Sequence, residues 1–232
     1  MSFITPVSLP LHGAEQLTIT SVKFELAKYS FDLYEQFDIN VPKQILKSVA
    51  KRQAEFLAGR FCAHQALKRL NADVGEVLIS ENRAPVWPSD VVGSITHCDD
   101  LALCCAMPLG SYKRVGIDAE KQISIETIEQ VSSVTVTEDE RQILKALPIK
   151  YNKAFTVAFS AKESLFKALY SEVNRYFEFL DARVAEVNVA QNSFVLVLTT
   201  KLTEQLPAGT EICGHFTFIE NDTVVTIIAD KG

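Results

Sequence analysis

The sequence predicts an α+β fold with two similar lobes related by a pseudo-twofold axis, each a long helix packed on a small, mainly antiparallel sheet. The chain has 232 residues, enough for one large domain or two small ones. Apolar residues recur at helical spacing over residues 43–70 and again over 152–171. Strand patterns occur in runs and do not alternate strictly with helices, which favours antiparallel sheets. We therefore predict an N-terminal lobe at 1–118 and a C-terminal lobe at 119–232.

Local patterns define the elements of the first lobe. Pro42 precedes the long helix and Asn71 ends it, as expected of helix termini. The other predicted elements are a strand at 18–24, a short strand at 77–79, a proline-stiffened loop at 82–88, a lead-in segment at 93–97 and a buried strand at 101–107.

The second lobe begins with a strand and ends in a run of strands. Thr137 and Glu140 have the spacing of a capping box, which predicts the start of a helix. The other predicted elements are a strand at 115–120, a helical pattern from 125, a long helix at 152–171 and strands at 184–189, 193–199, 212–219 and 223–229.

Charge and composition exclude several classes of function. The net charge of −6 argues against general nucleic-acid binding. The longest apolar run, at 101–109, contains a proline and is too short to span a membrane. The N-terminus has no secretory pattern, and the five cysteines lack metal-type spacing. We expect a cytoplasmic protein with mostly buried, reduced thiols, no nucleic-acid partner and no stable membrane insertion.

A local excess of positive charge lies between residues 43 and 69. Lys43, Lys47 and Lys51 are spaced to form a basic stripe along one predicted helix. The stripe is either a solvated helix face or a surface that binds an acidic partner or a phosphate.

Two acidic clusters point to a metal site. Asp118 and Glu120 project from the same face of a predicted strand, and Glu163 lies one helical turn from Lys167. Oxygen ligands favour Mg²⁺, for which Mn²⁺ is a possible substitute, and the flanking lysines suit a phosphate substrate. Each cluster also has a structural explanation: a strand that runs into a solvated turn, or a helix-stabilising pair worth about 0.2–0.5 kcal/mol.

Two further residues have anion-binding chemistry. Arg83 lies in the proline-stiffened loop, where a guanidinium suits a phosphate, although exposed loop arginines are common. His97 follows two hydroxyl residues just before the buried strand, and it is either a phosphate ligand or a structural histidine.

Five ordered motifs resemble the monomeric, two-lobed 4′-phosphopantetheinyl transferases, and within them the enterobactin synthetase component D subgroup. The motifs are RQAEFLAGR at 52–60, RAPVWP at 83–88, GSITH at 93–97, VGIDAE at 115–120 and FSAKESLFK at 159–167. The resemblance implies transfer of phosphopantetheine from coenzyme A to a serine of an acyl or peptidyl carrier protein, with release of adenosine 3′,5′-bisphosphate. It also implies a role in siderophore, nonribosomal peptide, polyketide or fatty acid synthesis.

The resemblance also assigns roles to residues, in a site expected where the lobes meet. Mg²⁺ would be held by Asp118, Glu120 and Glu163. Glu163 would accept the serine proton, directly or through a water, and Lys167 would either protonate the leaving phosphate or stabilise it electrostatically. The remaining candidates would bind the phosphates of coenzyme A: Arg52, Arg60, Arg83, Thr96, His97 and Lys162. A Mg²⁺-dependent phosphohydrolase and a non-catalytic coenzyme A- or carrier-binding module remain as alternatives.

Overall fold

The computed structural model describes residues 2–9, 11, 13–72, 76–80, 83–220 and 222–231. The chain divides into two units: Met1–Leu9 with Gln16–Lys113, and Pro10–Glu15 with Arg114–Gly232. The second unit therefore begins a few residues before the predicted boundary at residue 118. That boundary would cut through a strand, Arg114–Lys121, whose hydrogen-bonding partner belongs to the second unit.

The first unit contains a four-stranded antiparallel sheet, a two-stranded ribbon and one long helix. Its strands are β1 (Ile4–Pro6), β2 (Thr18–Phe24), β3 (Leu78–Ile79), β4 (Pro85–Val86), β5 (Val91–Cys98) and β6 (Leu101–Pro108). Its helices are α1 (Leu33–Gln36), α2 (Lys43–Leu46) and α3 (Ala50–Arg69), with a 3₁₀ turn at Leu26–Lys28. The larger sheet has the order β1-β2-β6-β5, and β3 pairs with β4.

Strand β6 lies between β2 and β5 and packs against α3, which explains its continuous apolar pattern. The buried strand predicted at 101–107 is thus confirmed. The segment 93–97, expected only as a lead-in, is part of a full strand, β5, which pairs with β6 in a hairpin. Of the loop predicted at 82–88, Asn82 lies outside the described residues, and Pro85–Val86 forms β4.

The single helix predicted over residues 43–70 is wrong, because the chain breaks between α2 and α3. Val49 is extended, with φ −67° and ψ 154°, and α3 begins at the next residue. The Gln53 side chain stabilises the break, since its Nε2 atom donates to the carbonyls of Ile45, Leu46 and Ser48 at 3.3, 3.2 and 3.0 Å. The Gln53 amide thus donates to carbonyl groups that would accept backbone hydrogen bonds if α2 continued.

The break also changes the basic stripe. Lys43 lies in α2, Lys47 is the residue that follows that helix, and Lys51 lies in α3. The three lysines are exposed. They do not lie along one continuous helix, so the predicted stripe on a single helix face is wrong.

The second unit contains a five-stranded antiparallel sheet covered by three helices. Its strands are β7 (Arg114–Lys121), β8 (Ala182–Asn188), β9 (Ser193–Leu198), β10 (Glu211–Ile219) and β11 (Thr223–Asp230). Its helices are α4 (Ile125–Thr135), α5 (Glu138–Lys145) and α6 (Tyr151–Val173), with a 3₁₀ turn at Phe179–Asp181. The sheet order is β7-β11-β10-β9-β8. The strands and helices predicted for this half are confirmed to within a few residues at each end, and so is the α+β class.

The core of the second unit lies between α6 and the sheet. Phe155, Leu165 and Leu169 of α6 are fully buried against sheet residues that include Phe194 and Phe216. The helix packs mainly on β7 and β11, the first and last strands of the unit. These two strands pair along their whole length, so residues at opposite ends of this part of the chain become neighbours.

Gly116 sets the distance between α6 and β7. A Cβ atom at this position would lie 1.9 Å from the Ser164 carbonyl oxygen and 2.7 Å from the Ala168 backbone nitrogen. Only glycine permits so close an approach of helix and strand. The helix is also tied to the strand by Arg114, which donates to Glu172 of α6 at 2.9 and 3.2 Å and to Asp230 of β11 at 2.5 Å.

All five cysteines are free thiols, and three of them, Cys62, Cys104 and Cys105, are buried. Burial raises the pKa of Cys62 and of Cys105 to about 12, so both are protonated at neutral pH. In the described part of the chain, every helix is too short or too polar to cross a membrane.

Gly116→Ala should lower the melting temperature of the protein clearly, because the new methyl group must push α6 away from β7. Overpacking of this kind costs about 1–3 kcal/mol. Thermal unfolding followed by circular dichroism measures the effect. Gly110→Ala is the matched control, since a Cβ atom there meets nothing within 4 Å. Equal melting temperatures for the two variants would contradict the close approach.

Candidate active site

Asp118 is the centre of a charged cluster on the second unit. This residue lies on β7 and is 5% exposed. The Oδ2 atom accepts a hydrogen bond from Ser160 at 2.8 Å, and Oδ1 accepts one from the Lys167 ammonium at 2.7 Å. Lys167 also donates to the Ile117 carbonyl at 3.2 Å. The carboxylate thus accepts hydrogen bonds from a neutral and a cationic donor.

Glu163 belongs to the same electrostatic cluster. It lies on α6 and is half-buried. Burial raises the pKa of Glu163, the negative charge of Asp118 raises it further, and Lys167 opposes both effects. The structure therefore brings together Asp118, Glu163 and Lys167, which the sequence placed in two separate motifs.

Glu120 is the third predicted carboxylate. It lies two residues after Asp118 on β7, where strand alternation directs both side chains to one face, and it is half-buried. Within the described ranges, no three His, Cys, Asp or Glu side chains gather into a ready-made metal centre. Mg²⁺ in phosphate-binding enzymes commonly takes only one or two carboxylates, with substrate oxygens and waters completing its shell. The neighbouring like charges of Asp118 and Glu163 fit such an ion.

Lys162 has surroundings quite different from those of Lys167. Its side chain is 1% exposed, and its ammonium lies 2.7 Å from Glu140 Oε1 and donates to the Thr135 carbonyl at 2.7 Å. Burial lowers the pKa of Lys162, whereas the hydrogen bond and the charge of Glu140 raise it. The phosphate contact predicted for Lys162 stays a prediction that this burial disfavours.

Glu140 connects three elements through its carboxylate. One oxygen, Oε2, accepts from the Thr137 backbone at 2.8 Å and completes the capping box at the start of α5, as the sequence predicted. The other, Oε1, accepts from the Val184 backbone of β8 at 2.7 Å and binds Lys162 of α6. The ion pair thus secures the part of α6 that carries Glu163.

A small cavity of about 40 Å³ opens beside Glu163. Its wall is mainly apolar and includes the aromatic rings of Phe166, Phe177 and Phe179. The Phe166 ring stacks on Tyr176 with centroids 5.5 Å apart, and Tyr176 is itself largely exposed. This apolar wall accounts for the burial that raises the pKa of Glu163.

The first unit has a separate cavity of about 280 Å³ with a predominantly positive lining. Four of the residues predicted to bind phosphate line it: Arg52, Arg60, Arg83 and His97. Glu55 is the acidic residue of the described lining. Three arginines facing one carboxylate make this cavity suitable for a multiply charged anion.

Arg52 and His97 are joined directly. The Arg52 Nη1 atom lies 2.7 Å from His97 Nε2, and Glu55 lies 3.5 Å from Arg52 and 3.9 Å from His97 Nδ1. Because a guanidinium only donates, His97 Nε2 must accept, which assigns the imidazole proton to Nδ1. The histidine is therefore neutral in this arrangement.

Arg60 is a buried cation with incomplete hydrogen bonding. It is 7% exposed, its guanidinium stacks on the Phe56 ring at 4.6 Å, and its Nη2 atom donates weakly to the Leu78 carbonyl at 3.4 Å. Its Nε atom has no hydrogen-bond partner among the described residues. Burial lowers the pKa of Arg60 to about 10, so the group remains charged at neutral pH and could accept an anion.

Thr96 differs from the other candidates of the first unit. It is buried, at 4% exposure, and alternation along β5 directs it away from the face that carries Ile95 and His97. The cavity lining contains Ile95 and His97 and not Thr96. A phosphate contact from the Thr96 side chain stays a prediction without support from this geometry.

Sequence reasoning missed several residues that shape these sites. Glu140 was recognised only as a helix cap, and Ser160 only as part of a motif. Thr226, a polar residue within the apolar strand β11, gave a signal that was not used. Its place opposite Asp118 depends on the pairing of β7 with β11, which local sequence does not reveal.

Two family models match the chain. The 4′-phosphopantetheinyl transferase N-terminal domain matches residues 41–107, and the 4′-phosphopantetheinyl transferase superfamily matches residues 114–223. Together they cover both units and both groups of candidate residues. The chain belongs to the 4′-phosphopantetheinyl transferase superfamily.

Curated relatives agree with this membership. The chain is 35% identical to enterobactin synthase component D of Escherichia coli, over 81% of this chain and 85% of that protein. It is 44% identical to enterobactin synthase component D of Salmonella austin, over 53% of this chain and only 50% of that protein. It is 33% identical to 4′-phosphopantetheinyl transferase Npt of Nocardia iowensis, over 60% of this chain and 62% of that protein.

Lys162→Met should destabilise the protein by about 3–5 kcal/mol, because it leaves the Glu140 carboxylate buried without its cation. The double variant Lys162→Met with Glu140→Gln should regain part of this loss, because it removes the unpaired charge. Urea unfolding of both variants measures the difference. The exposed pair Lys201–Glu204 gives the control, where Lys201→Met should change stability by about 1 kcal/mol or less. A similar small effect at Lys162 would show that the buried ion pair is not formed.

Proposed function

We propose that the protein transfers the 4′-phosphopantetheine arm of coenzyme A to a serine hydroxyl of an apo carrier protein. The single observation that carries this proposal is the cluster of Asp118, Glu163 and Lys167 in a chain of this superfamily. The cluster combines what phosphoryl transfer needs, namely carboxylates for a proton and a hard cation, and an ammonium for phosphate charge.

The chemistry assigns a task to each residue. The serine oxygen attacks the phosphorus that carries pantetheine, and the bond from this phosphorus to the bridging oxygen of the pyrophosphate breaks. Adenosine 3′,5′-bisphosphate leaves with that oxygen, and the serine proton passes to Glu163, directly or through a water. Lys167, which is half-buried and already binds an anionic oxygen of Asp118, stabilises the negative charge of the leaving phosphate.

Asp118 and Glu163, with Glu120 on the same strand face as Asp118, would hold the divalent cation. When bound, Mg²⁺ or Mn²⁺ would supply charge neutralisation to the pyrophosphate oxygens. The Lys167 ammonium forms an ion pair with Asp118, and this contact with a positive charge supports a cation-binding role for the carboxylate.

The positive cavity of the first unit would bind a phosphate of the same substrate. Arg60 supports this role best, since its buried guanidinium retains an unpaired Nε donor. Arg52 and Arg83 add charge at the same cavity, and His97 is held neutral beside them. A neutral imidazole can offer its Nδ1–H to a phosphate oxygen.

The acceptor would be the carrier domain of a siderophore or nonribosomal peptide synthetase. The names of the relatives from Escherichia coli and Salmonella austin, which are enterobactin synthase components, support this choice of pathway. Carrier domains are acidic around the modified serine, and the exposed lysines Lys43, Lys47 and Lys51 have the complementary charge.

Glu163→Gln should lower the rate of transfer by about 10²–10⁴-fold, because the amide cannot accept the serine proton. Binding of coenzyme A should be retained. Mass spectrometry of an apo carrier incubated with coenzyme A and Mg²⁺ detects the added phosphopantetheine, and chelation by EDTA should abolish the gain.

Glu186→Gln is the matched control, since Glu186 is an exposed carboxylate of β8 in the same unit. Full turnover by the Glu163 variant would exclude it as the base. Breakdown of coenzyme A with an unmodified carrier would identify a phosphohydrolase, and binding without any reaction would identify a non-catalytic module.

Arg52→Met should raise the KM for coenzyme A about tenfold or more, the usual loss for one hydrogen bond to a charged group. Steady-state transfer assays with coenzyme A and with 3′-dephospho-coenzyme A measure the effect. If the cavity holds the 3′-phosphate, the variant and the unchanged protein should have the same KM for the dephosphorylated substrate. Lys68→Met, an exposed change on the same helix, is the control. An unchanged KM for both substrates would remove Arg52 from the phosphate site.

A further inference from the structure

Three buried hydroxyl groups form a chain that ends on Asp118. Ser160, Ser164 and Thr226 are each 0% exposed. The Ser164 and Thr226 hydroxyl oxygens lie 2.7 Å apart, those of Thr226 and Ser160 lie 2.9 Å apart, and Ser160 donates to Asp118 Oδ2 at 2.8 Å. The chain thus crosses between α6 and β11 twice before it reaches β7.

Asp118, at the end of the chain, fixes the direction of the Ser160 and Thr226 hydroxyl protons. An ionised carboxylate only accepts, so the one hydroxyl proton of Ser160 must point to Asp118. The Ser160 oxygen therefore accepts from the Thr226 hydroxyl. The one Ser164 proton faces two acceptors, the Thr226 hydroxyl oxygen at 2.7 Å and the Thr226 carbonyl oxygen at 3.1 Å. Each donor in such a chain polarises the next, so the Ser160 donor to the carboxylate is strengthened.

The chain also determines which oxygen of Asp118 meets Lys167. Ser160 binds Oδ2 from the α6 side, which leaves Oδ1 directed to the Lys167 ammonium. Thr226 is the register partner of Asp118 across the two strands, so it is placed by backbone pairing and not by a flexible loop. The orientation of the carboxylate is thereby set from two different elements.

We propose that Thr226, acting through Ser160, is a positioning residue that holds the Asp118 carboxylate ready to bind the divalent cation. This inference rests on the proposed function for the identity of the ligand. Burying three hydroxyl groups between helix and sheet costs desolvation free energy, which valine or alanine side chains at these positions would not cost. The Thr226 and Ser160 protons are directed to one carboxylate. Groups that orient a metal-binding carboxylate commonly contribute 10–100-fold to affinity or activity.

Direct binding of Mn²⁺ tests the inference without relying on turnover. The full chain with coenzyme A is titrated with Mn²⁺, and free Mn²⁺ is measured by electron paramagnetic resonance. Thr226→Val should weaken binding about tenfold, the lower end of the range for such groups. Thr226→Ser, which keeps the hydroxyl, should bind like the unchanged protein.

Thr217→Val is the matched control, because Thr217 is a buried threonine of β10 in the same sheet. Unchanged Mn²⁺ affinity in Thr226→Val would overturn the inference, and so would equal weakening in Thr217→Val. If Thr226→Val does not fold, Ser160→Ala carries the same test, since alanine suits a helix and the variant removes the last donor.

The two proposals fail in distinguishable ways. Absence of carrier modification by the unchanged protein would reject the transferase, while the Mn²⁺ titration would still test the hydroxyl chain. Absence of Mn²⁺ binding by the unchanged protein, with coenzyme A present, would reject the positioning role even if transfer occurs.

Discussion

The close packing of α6 on β7 at Gly116 is the constraint on which the candidate active site depends. Because a Cβ atom there would overlap the Ser164 carbonyl, helix and strand approach more closely than a residue with a side chain would allow. At this separation, side chains as short as Ser160 reach the Asp118 carboxylate. The helix repeat then presents Glu163 and Lys167 beside the same strand. One glycine therefore determines whether two motifs remote in sequence form a single cluster.

Buried charged groups inside and outside the candidate sites differ in how completely their charge is paired. Lys162 with Glu140, and Arg114 with Glu172 and Asp230, are buried ions with direct partners that stabilise the frame. Burial disfavours the charged forms of Lys162, Glu163 and Arg60 alike, but of these three only Lys162 has a hydrogen-bonded counter-charge that opposes the effect. The pKa of Glu163 is raised and that of Arg60 is lowered. Incomplete compensation of this kind is common where a ligand supplies the missing partner.

Local patterns predicted most of the second unit, because its strands and helices have regular periods and its α5 begins with a true capping box. They did not predict the break before Ala50, since it depends on a single side chain, Gln53, that binds three backbone carbonyls. Nor did they predict the neighbourhood of Thr226 and Asp118, which arises from pairing between distant strands. Residue types at the site were thus predictable, whereas the contacts that orient them required the fold.

Lys162 and Lys167 show why a motif identifies residues but not their roles. They are the same residue type on the same helix, and five residues of helix rotate one side chain by about 140° from the other. Lys167 therefore meets Asp118 at the strand, whereas Lys162 points to Glu140 of α5 and is buried there. Because the ammonium of Lys162 is engaged by Glu140 and Thr135, it contributes by securing the helix that carries Glu163. The two lysines of one motif therefore meet different partners, and only the fold reveals which.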